Sequence, residues 1–273
     1  MDFYTLTEGM KRFGSTERDI CIHGLGIEPE MVNQNVVIAP WWEPNTLPKL
    51  GEAELLSNLD SWGTKVWNIT HEKLNMTYIK TGIGAPCFLE GLLPLGVTGC
   101  KRIIFIGSVG SPDTGIGIGD IVLPAYSICG DGTSRYITSD DITRDVFGDR
   151  VYPDSPMFAA LLAETERICE ESHTKWHMGK TFSIDTIFAQ YAHIDAITAM
   201  GCNVIEMETA VAFRGAALMG IPLVAIFSVS DNTVTNKSLV SGRTDEDMEY
   251  RKYVRREVFP NIILSVFSRM VDA

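Results

Sequence analysis

The chain has no run of about 18 apolar residues, so no membrane-spanning helix is expected. Residues 1–14 carry Asp2, Glu8, Lys11 and Arg12 and no apolar stretch, so no secretion signal is expected and a cytoplasmic location is. The six cysteines include no CxxC pair, and neither they nor the five histidines cluster at metal-ligand spacing. Reduced core thiols, no metal and no cofactor are the expectation. Positive charge is scarce: 23 Lys and Arg against 35 Asp and Glu leave a formal net charge of −12. That argues against a nucleic-acid partner, whose phosphates are bound mainly by Lys and Arg. A small neutral or anionic ligand stays open, because one basic pocket can sit on an acidic surface. No repeat, low-complexity tract or linker divides the sequence, so one domain over residues 1–273 is expected.

What the chain does have is material for a core, with 45% hydrophobic and 21% charged residues. Short β-branched runs at 36–39, 78–80, 103–106, 121–123 and 223–229 predict buried strands. Helical patterns lie at 87–95, 155–171, 208–219 and 245–270. Ser155 is the expected N-cap with Pro156 at the first helical position, Gly220 marks a stop, and Pro94 should end or kink its helix. Strands alternating with helices predict an α/β class, a central mixed sheet flanked by helices.

In such sheets ligands gather at the carboxyl ends of strands. Here those ends read Thr81-Gly82-Ile83-Gly84, Gly107-Ser108-Val109-Gly110 and Ser230-Asp231-Asn232. Glu206 and Glu208, two apart before a helix, would face one side of an extended backbone with Met207 facing the other. Two acceptor-only groups suit the paired hydroxyls of a vicinal diol; the alternative is a solvated acidic helix start. Asp231, at the mouth of an apolar strand, is either a carboxyl raised in pKa that donates a proton or a turn-starting carboxylate.

The run from Gly201 through Glu206-Met207-Glu208-Thr209-Ala210, followed by Val224 to Ser230-Asp231, resembles the hallmark segment of the nucleoside phosphorylase and nucleosidase superfamily. Residues 81–86, 105–110, 119–122 and 131–134 extend the resemblance, and His23-Gly24-Leu25 is similar to a motif of its uridine phosphorylases. The resemblance implies cleavage of a nucleoside N-glycosidic bond by a homo-oligomer, a dimer or a hexamer. It implies that Glu208 holds the ribose diol, Met207 packs under the sugar and Glu206 lines the same pocket. His23 would meet the 5′-hydroxyl, from a neighbouring subunit. At the base, Phe182 would stack, Gln190 and Ser230 would make contacts, Asp231 would protonate a purine at N7, and Arg243 would assist it. The purine-type aspartate favours a purine.

The acceptor end departs from the family. Phosphorylases carry Gly-Asp-Pro-x-Arg after the first strand, where this chain has Pro40-Trp41-Trp42-Glu43-Pro44-Asn45. A second family arginine is replaced by Phe105, and no arginine at all lies between Arg18 and Arg102. Gly107 and Ser108 are left to line the acceptor site. Missing cations favour water over phosphate, with Glu43 near the place of the nucleosidases' water-activating glutamate. A phosphorylase with an atypical phosphate site and a non-catalytic nucleoside-binding or storage protein are the alternatives.

Overall fold

The β-branched runs form the centre of a ten-stranded sheet in the computed structural model, which describes residues 1–60 and 63–271. The strands are β1 (Asn35–Ala39), β2 (Glu52–Leu59), β3 (Thr64–His71), β4 (Leu74–Lys80), β5 (Arg102–Ser111), β6 (Ile121–Gly130), β7 (Arg150–Val151), β8 (Trp176–Ile184), β9 (Val204–Glu206) and β10 (Leu223–Asn232). The helices are α1 (Phe3–Lys11), α2 (Glu17–Leu25), α3 (Ala85–Leu92), α4 (Arg135–Thr138), α5 (Ser155–Ser172), α6 (Ile187–Ala199), α7 (Thr209–Met219), α8 (Asp245–Tyr253) and α9 (Phe259–Val271).

The sheet is mixed, as expected. β5 runs parallel to β1 and to β10, and β1 is parallel to β4. β10 continues antiparallel to β6, β6 parallel to β8, β8 parallel to β9, and β9 returns antiparallel to β5. β5, β10, β6, β8 and β9 therefore close a ring, while β1, β4, β3 and β2 extend from it as an open sheet.

Period-two alternation explains why the central strands read as continuous apolar runs. Val36 and Ile38 of β1, Ile103 and Phe105 of β5 and Ala225 and Phe227 of β10 pack with α3 and α7 through Phe88, Leu92 and Val211. Val37, Ala39, Ile104, Ile106, Val224 and Ile226 point the other way, toward Leu161 of α5 and Phe259 and Ile262 of α9. Both faces are covered, so the middle of each of these strands is largely apolar on both sides.

Local signals hold with two shifts. The cap of α5 is Asp154, whose side chain accepts from Met157 N–H, so Ser155 and Pro156 are the first two helical residues. A carboxylate caps at least as well as a hydroxyl and is favoured by the helix dipole. The helix expected at 245–270 is interrupted by a π-helical stretch, Val254–Val258. Gly220 caps α7 in the left-handed conformation, and α3 ends at Leu92, where a 3₁₀ segment holding Pro94 begins. Among the described residues no helix is long and apolar enough to cross a membrane, and no group of three or more His, Cys, Asp or Glu is placed to hold a metal ion.

Candidate active site

A cavity of about 330 Å³ opens at the carboxyl ends of β1, β5 and β10. Its walls include Gly107, Ser108, Met207, Glu208, Ser230, Asp231, Gln190 and Arg243, so most residues singled out in the sequence meet there.

Asp231 reaches the cavity through a β-bulge. β10 pairs with β5 residue for residue up to Val229 and Val109, and then Asp231 lies opposite Gly110, leaving Ser230 as the extra residue. A bulge re-aims side chains locally, which is how two consecutive strand residues come to line one cavity. Gly110 leaves room here: a Cβ on it would lie a tight 3.0 Å from Asp231 Oδ2 and 3.3 Å from Gln190 Nε2. Asp231 is 1% exposed, and its Oδ1 lies 2.6 Å from Ser230 Oγ, which is itself 3.1 Å from the Val109 carbonyl. Oδ2 is buried with no hydrogen-bond partner. Burial raises the Asp231 pKa above the usual carboxylate range, opposed by the Ser230 hydrogen bond and by Arg243 and Arg251. A buried carboxyl in this state is a proton donor in waiting.

The two glutamates divide their work. Glu206 Oε1 accepts from Ser183 Oγ at 2.5 Å, and Oε2 accepts the backbone N–H groups of Glu208 and Thr209 at 2.6 and 2.7 Å. It borders the cavity, but its acceptor positions serve the first turn of α7 rather than a diol, because the unpaired amides of a helix start attract a carboxylate. Glu208 Oε1 accepts from the Gly84 amide at 2.6 Å. Gly84 has φ +98°, a conformation glycine adopts without strain, and this aims its N–H at the carboxylate. Burial and the neighbouring Glu206 push the Glu208 pKa up to about 8.

Three expected residues lie elsewhere. Phe182 is buried in β8 and borders a separate apolar cavity with Phe147, Ile184 and Ile197. His23 sits in α2, outside the cavity wall. Glu43 is also outside that wall, with Oε1 accepting from both Lys65 and Lys80 at 2.9 Å. These two ammonium groups hold its carboxyl below the usual range, which suits an ion-paired strut rather than a base. Glu43→Gln is therefore expected to change kcat/KM by less than about threefold, the scale of an exposed ion pair. Steady-state kinetics would check this, and a loss of a hundredfold or more would return Glu43 to the chemistry.

The sequence reading missed Arg251 and Arg255, which line the cavity together with Arg243. Arg251, 8% exposed, donates from Nη2 to Ser108 Oγ at 2.6 Å. The Arg255 guanidinium lies 5.6 Å from the ring centroid of Trp42, which is itself buried against Phe259. Arg243 Nη2 donates to the Leu239 carbonyl at 2.8 Å, with Nη1 3.5 Å from the Ser230 carbonyl. The available signal was the i, i+4 spacing of Arg251 and Arg255, which puts both on one helical face. Of the two tryptophans in the loop after β1, only Trp42 is buried, whereas Trp41 is 67% exposed.

The sequence model described as "Phosphorylase superfamily" matches residues 47–257. A guanosine phosphorylase of Halorubrum lacusprofundi is 25% identical over 189 residues, 69% of this chain and 74% of that protein. A purine nucleoside phosphorylase of Streptococcus pyogenes is 26% identical over 165 residues; the match spans 60% of this chain and just under two thirds, 65%, of that relative's length. Among solved structures, a uridine phosphorylase of Vibrio fischeri superposes with a TM-score of 0.71 at 20% identity, covering 88% of this chain and 93% of the other.

Proposed function

Because the chain belongs to the phosphorylase superfamily, we propose that it cleaves the N-glycosidic bond of a purine ribonucleoside, with inorganic phosphate as acceptor. One observation carries the reading: a single cavity joins Asp231, a buried carboxyl of raised pKa, to Glu208 and to three arginines. Glycosidic cleavage passes through an oxocarbenium-like sugar and needs a proton on the leaving base and a nucleophile at the anomeric carbon. Asp231, supported by Ser230, Gln190 and Arg243, gives the proton to the departing purine, which keeps the electron pair of the broken bond. Glu208 accepts from the ribose hydroxyls, and Met207 packs beneath the ring. Phosphate oxygen then bonds to the anomeric carbon, giving ribose 1-phosphate.

In the sequence, missing cations favour water. Arginines reaching the cavity from the C-terminal quarter of the chain remove that ground. Glu43 is paired with Lys65 and Lys80 and lies outside the cavity wall, which supports phosphate over water. His23 is assigned to the 5′-hydroxyl in a neighbouring copy, which makes the working unit a closed homo-oligomer, a dimer or a hexamer.

A panel of purine and pyrimidine ribonucleosides, assayed with and without phosphate, tests the proposal. Ribose 1-phosphate and free purine, at a rate saturating in phosphate, are expected. Free ribose at a phosphate-independent rate would make the protein a nucleosidase. Tight nucleoside binding without any product would make it a binding protein.

A further inference from the structure

We propose that Arg251 and Arg255, with the Ser108 hydroxyl, form the oxyanion subsite of this cavity, so that its cations come from the C-terminal helix instead of the loop after β1. The proposal rests on the phosphorolytic reading above and assigns the residues that would hold phosphate.

Like charge concentrated in a buried place is the first ground. Burial, Arg255 and Arg243 lower the Arg251 pKa to about 10, and the Asp231 carboxylate opposes them. Arg255 is lowered too, by burial and by Arg256. Neither Arg251 nor Arg255 forms an ion pair with a carboxylate among the described residues, although the chain has 35 acidic residues to offer. Burying charge without a counterion is costly, and proteins keep such an arrangement where an anion completes it.

Unused donors are the second ground. Arg251 Nε and Arg255 Nε are both buried without a hydrogen-bond partner. Arg251 already engages Ser108 Oγ, fixing a hydroxyl and a guanidinium side by side at the cavity wall. Trp42 holds the Arg255 guanidinium by its ring face, an interaction that orients the cation without consuming its N–H donors.

Local backbone geometry is the third. The helix departs from α to π winding over Val254–Val258, the segment that carries Arg255. Such stretches are uncommon and concentrate at functional sites. Here the altered winding carries Arg255 to the cavity while Val254 and Val258 stay in the core. A tetrahedral dianion matches forked guanidinium donors and a hydroxyl.

The test measures phosphate binding directly, by equilibrium dialysis with radiolabelled inorganic phosphate, and phosphorolysis in parallel. Arg255→Met and Arg251→Met are each expected to raise the phosphate Kd about 10- to 100-fold, the usual worth of a charge-assisted contact. Arg255→Lys should fall between them and the wild type. Arg256→Met, on an exposed neighbour, should leave both Kd and turnover unchanged. A folding readout accompanies the binding: phosphate should raise the Tm of the wild type and of Arg256→Met but not of the two methionine variants. If the wild type is phosphorolytic while the methionine variants bind phosphate as it does, the subsite assignment is overturned and the function stands. If the wild type binds no phosphate and releases free ribose, the phosphorolytic reading fails with it. If phosphate affinity is unchanged but nucleosides bearing a 5′-phosphate lose affinity in the variants, the arginines recognise a substrate group instead, and the assignment is again overturned.

Discussion

Asp231→Asn is expected to lower kcat on purine ribonucleosides by about 10²–10⁴, the usual worth of a general acid. The substitution keeps the shape of a group that is 1% exposed and leaves an oxygen to accept from Ser230, so the fold should survive. What it removes is an ionisable carboxyl whose hold on a proton is strengthened by burial. Leaving groups that depart without protonation are the discriminating substrates. A nucleoside with an activated leaving group should lose far less than inosine or guanosine, and pre-steady-state rates would expose the difference. Equal losses for good and poor leaving groups would remove Asp231 from the acid role and leave it as a base-binding side chain. The neighbouring serine makes the proton easy to hold and to give: a protonated Oδ1 donates to Ser230 Oγ while Ser230 donates to Val109. An ionised Oδ1 instead accepts a hydrogen bond from the serine hydroxyl.

Assayed above about pH 8, where the carboxyl is ionised, Glu208→Gln is expected to cost about 30- to 1000-fold in kcat/KM on ribonucleosides, since two charge-assisted contacts to the diol become neutral ones at roughly 1–2 kcal/mol each. On a 2′,3′-dideoxy substrate, which lacks those donors, the wild type should be poor and the variant little worse. A mutant with full ribonucleoside activity would refute the sugar assignment. The same variant carries a stability signature. The folded pKa of Glu208 is about 8 against an ordinary 4.5, so the native chain keeps a proton that the unfolded chain releases. Its stabilising contribution is whole below about pH 4.5 and is lost as pH rises through about 8. Glutamine does not titrate. The Tm of Glu208→Gln should therefore gain on the wild type between about pH 5 and about pH 9, a trend that calorimetry across the range would measure.

The sequence exposed the parts of the molecule whose chemistry is local or doubly buried. β1, β5 and β10 were legible because both faces meet helices and the pattern is uninterrupted apolar. β2 is largely exposed and carries Glu52 and Glu54, while β8 mixes Lys180 and Ser183 with apolar residues, so neither shows that pattern. Asp231, Glu208, Gln190 and Ser230 converge because they sit at strand ends or helix starts, where sequence spacing and position in space agree. Phe182 and Glu43 show where that agreement breaks down. Side-chain direction decides which of two adjacent cavities a strand residue enters, and two lysines from β3 and β4 decide what Glu43 does. Arg251 and Arg255 carried only their i, i+4 spacing as a signal, for a related reason. Their helix begins just after Leu239 and Arg243 of the cavity wall, but which of its faces meets the cavity is set by its packing and that of α9 against the sheet.

The closed ring of strands also orders the birth of the molecule. β10 begins at Leu223 and seats against Ile103 of β5, so a chain emerging from the ribosome must keep one side of β5 unsatisfied while more than a hundred further residues are made. Until then that side can recruit any extended segment nearby, the hazard of an unpaired strand edge. Insertion of β10 removes the hazard and in the same movement delivers Asp231 to its place opposite Gly110. The nascent chain thus acquires its acid only when it has ceased to be adhesive.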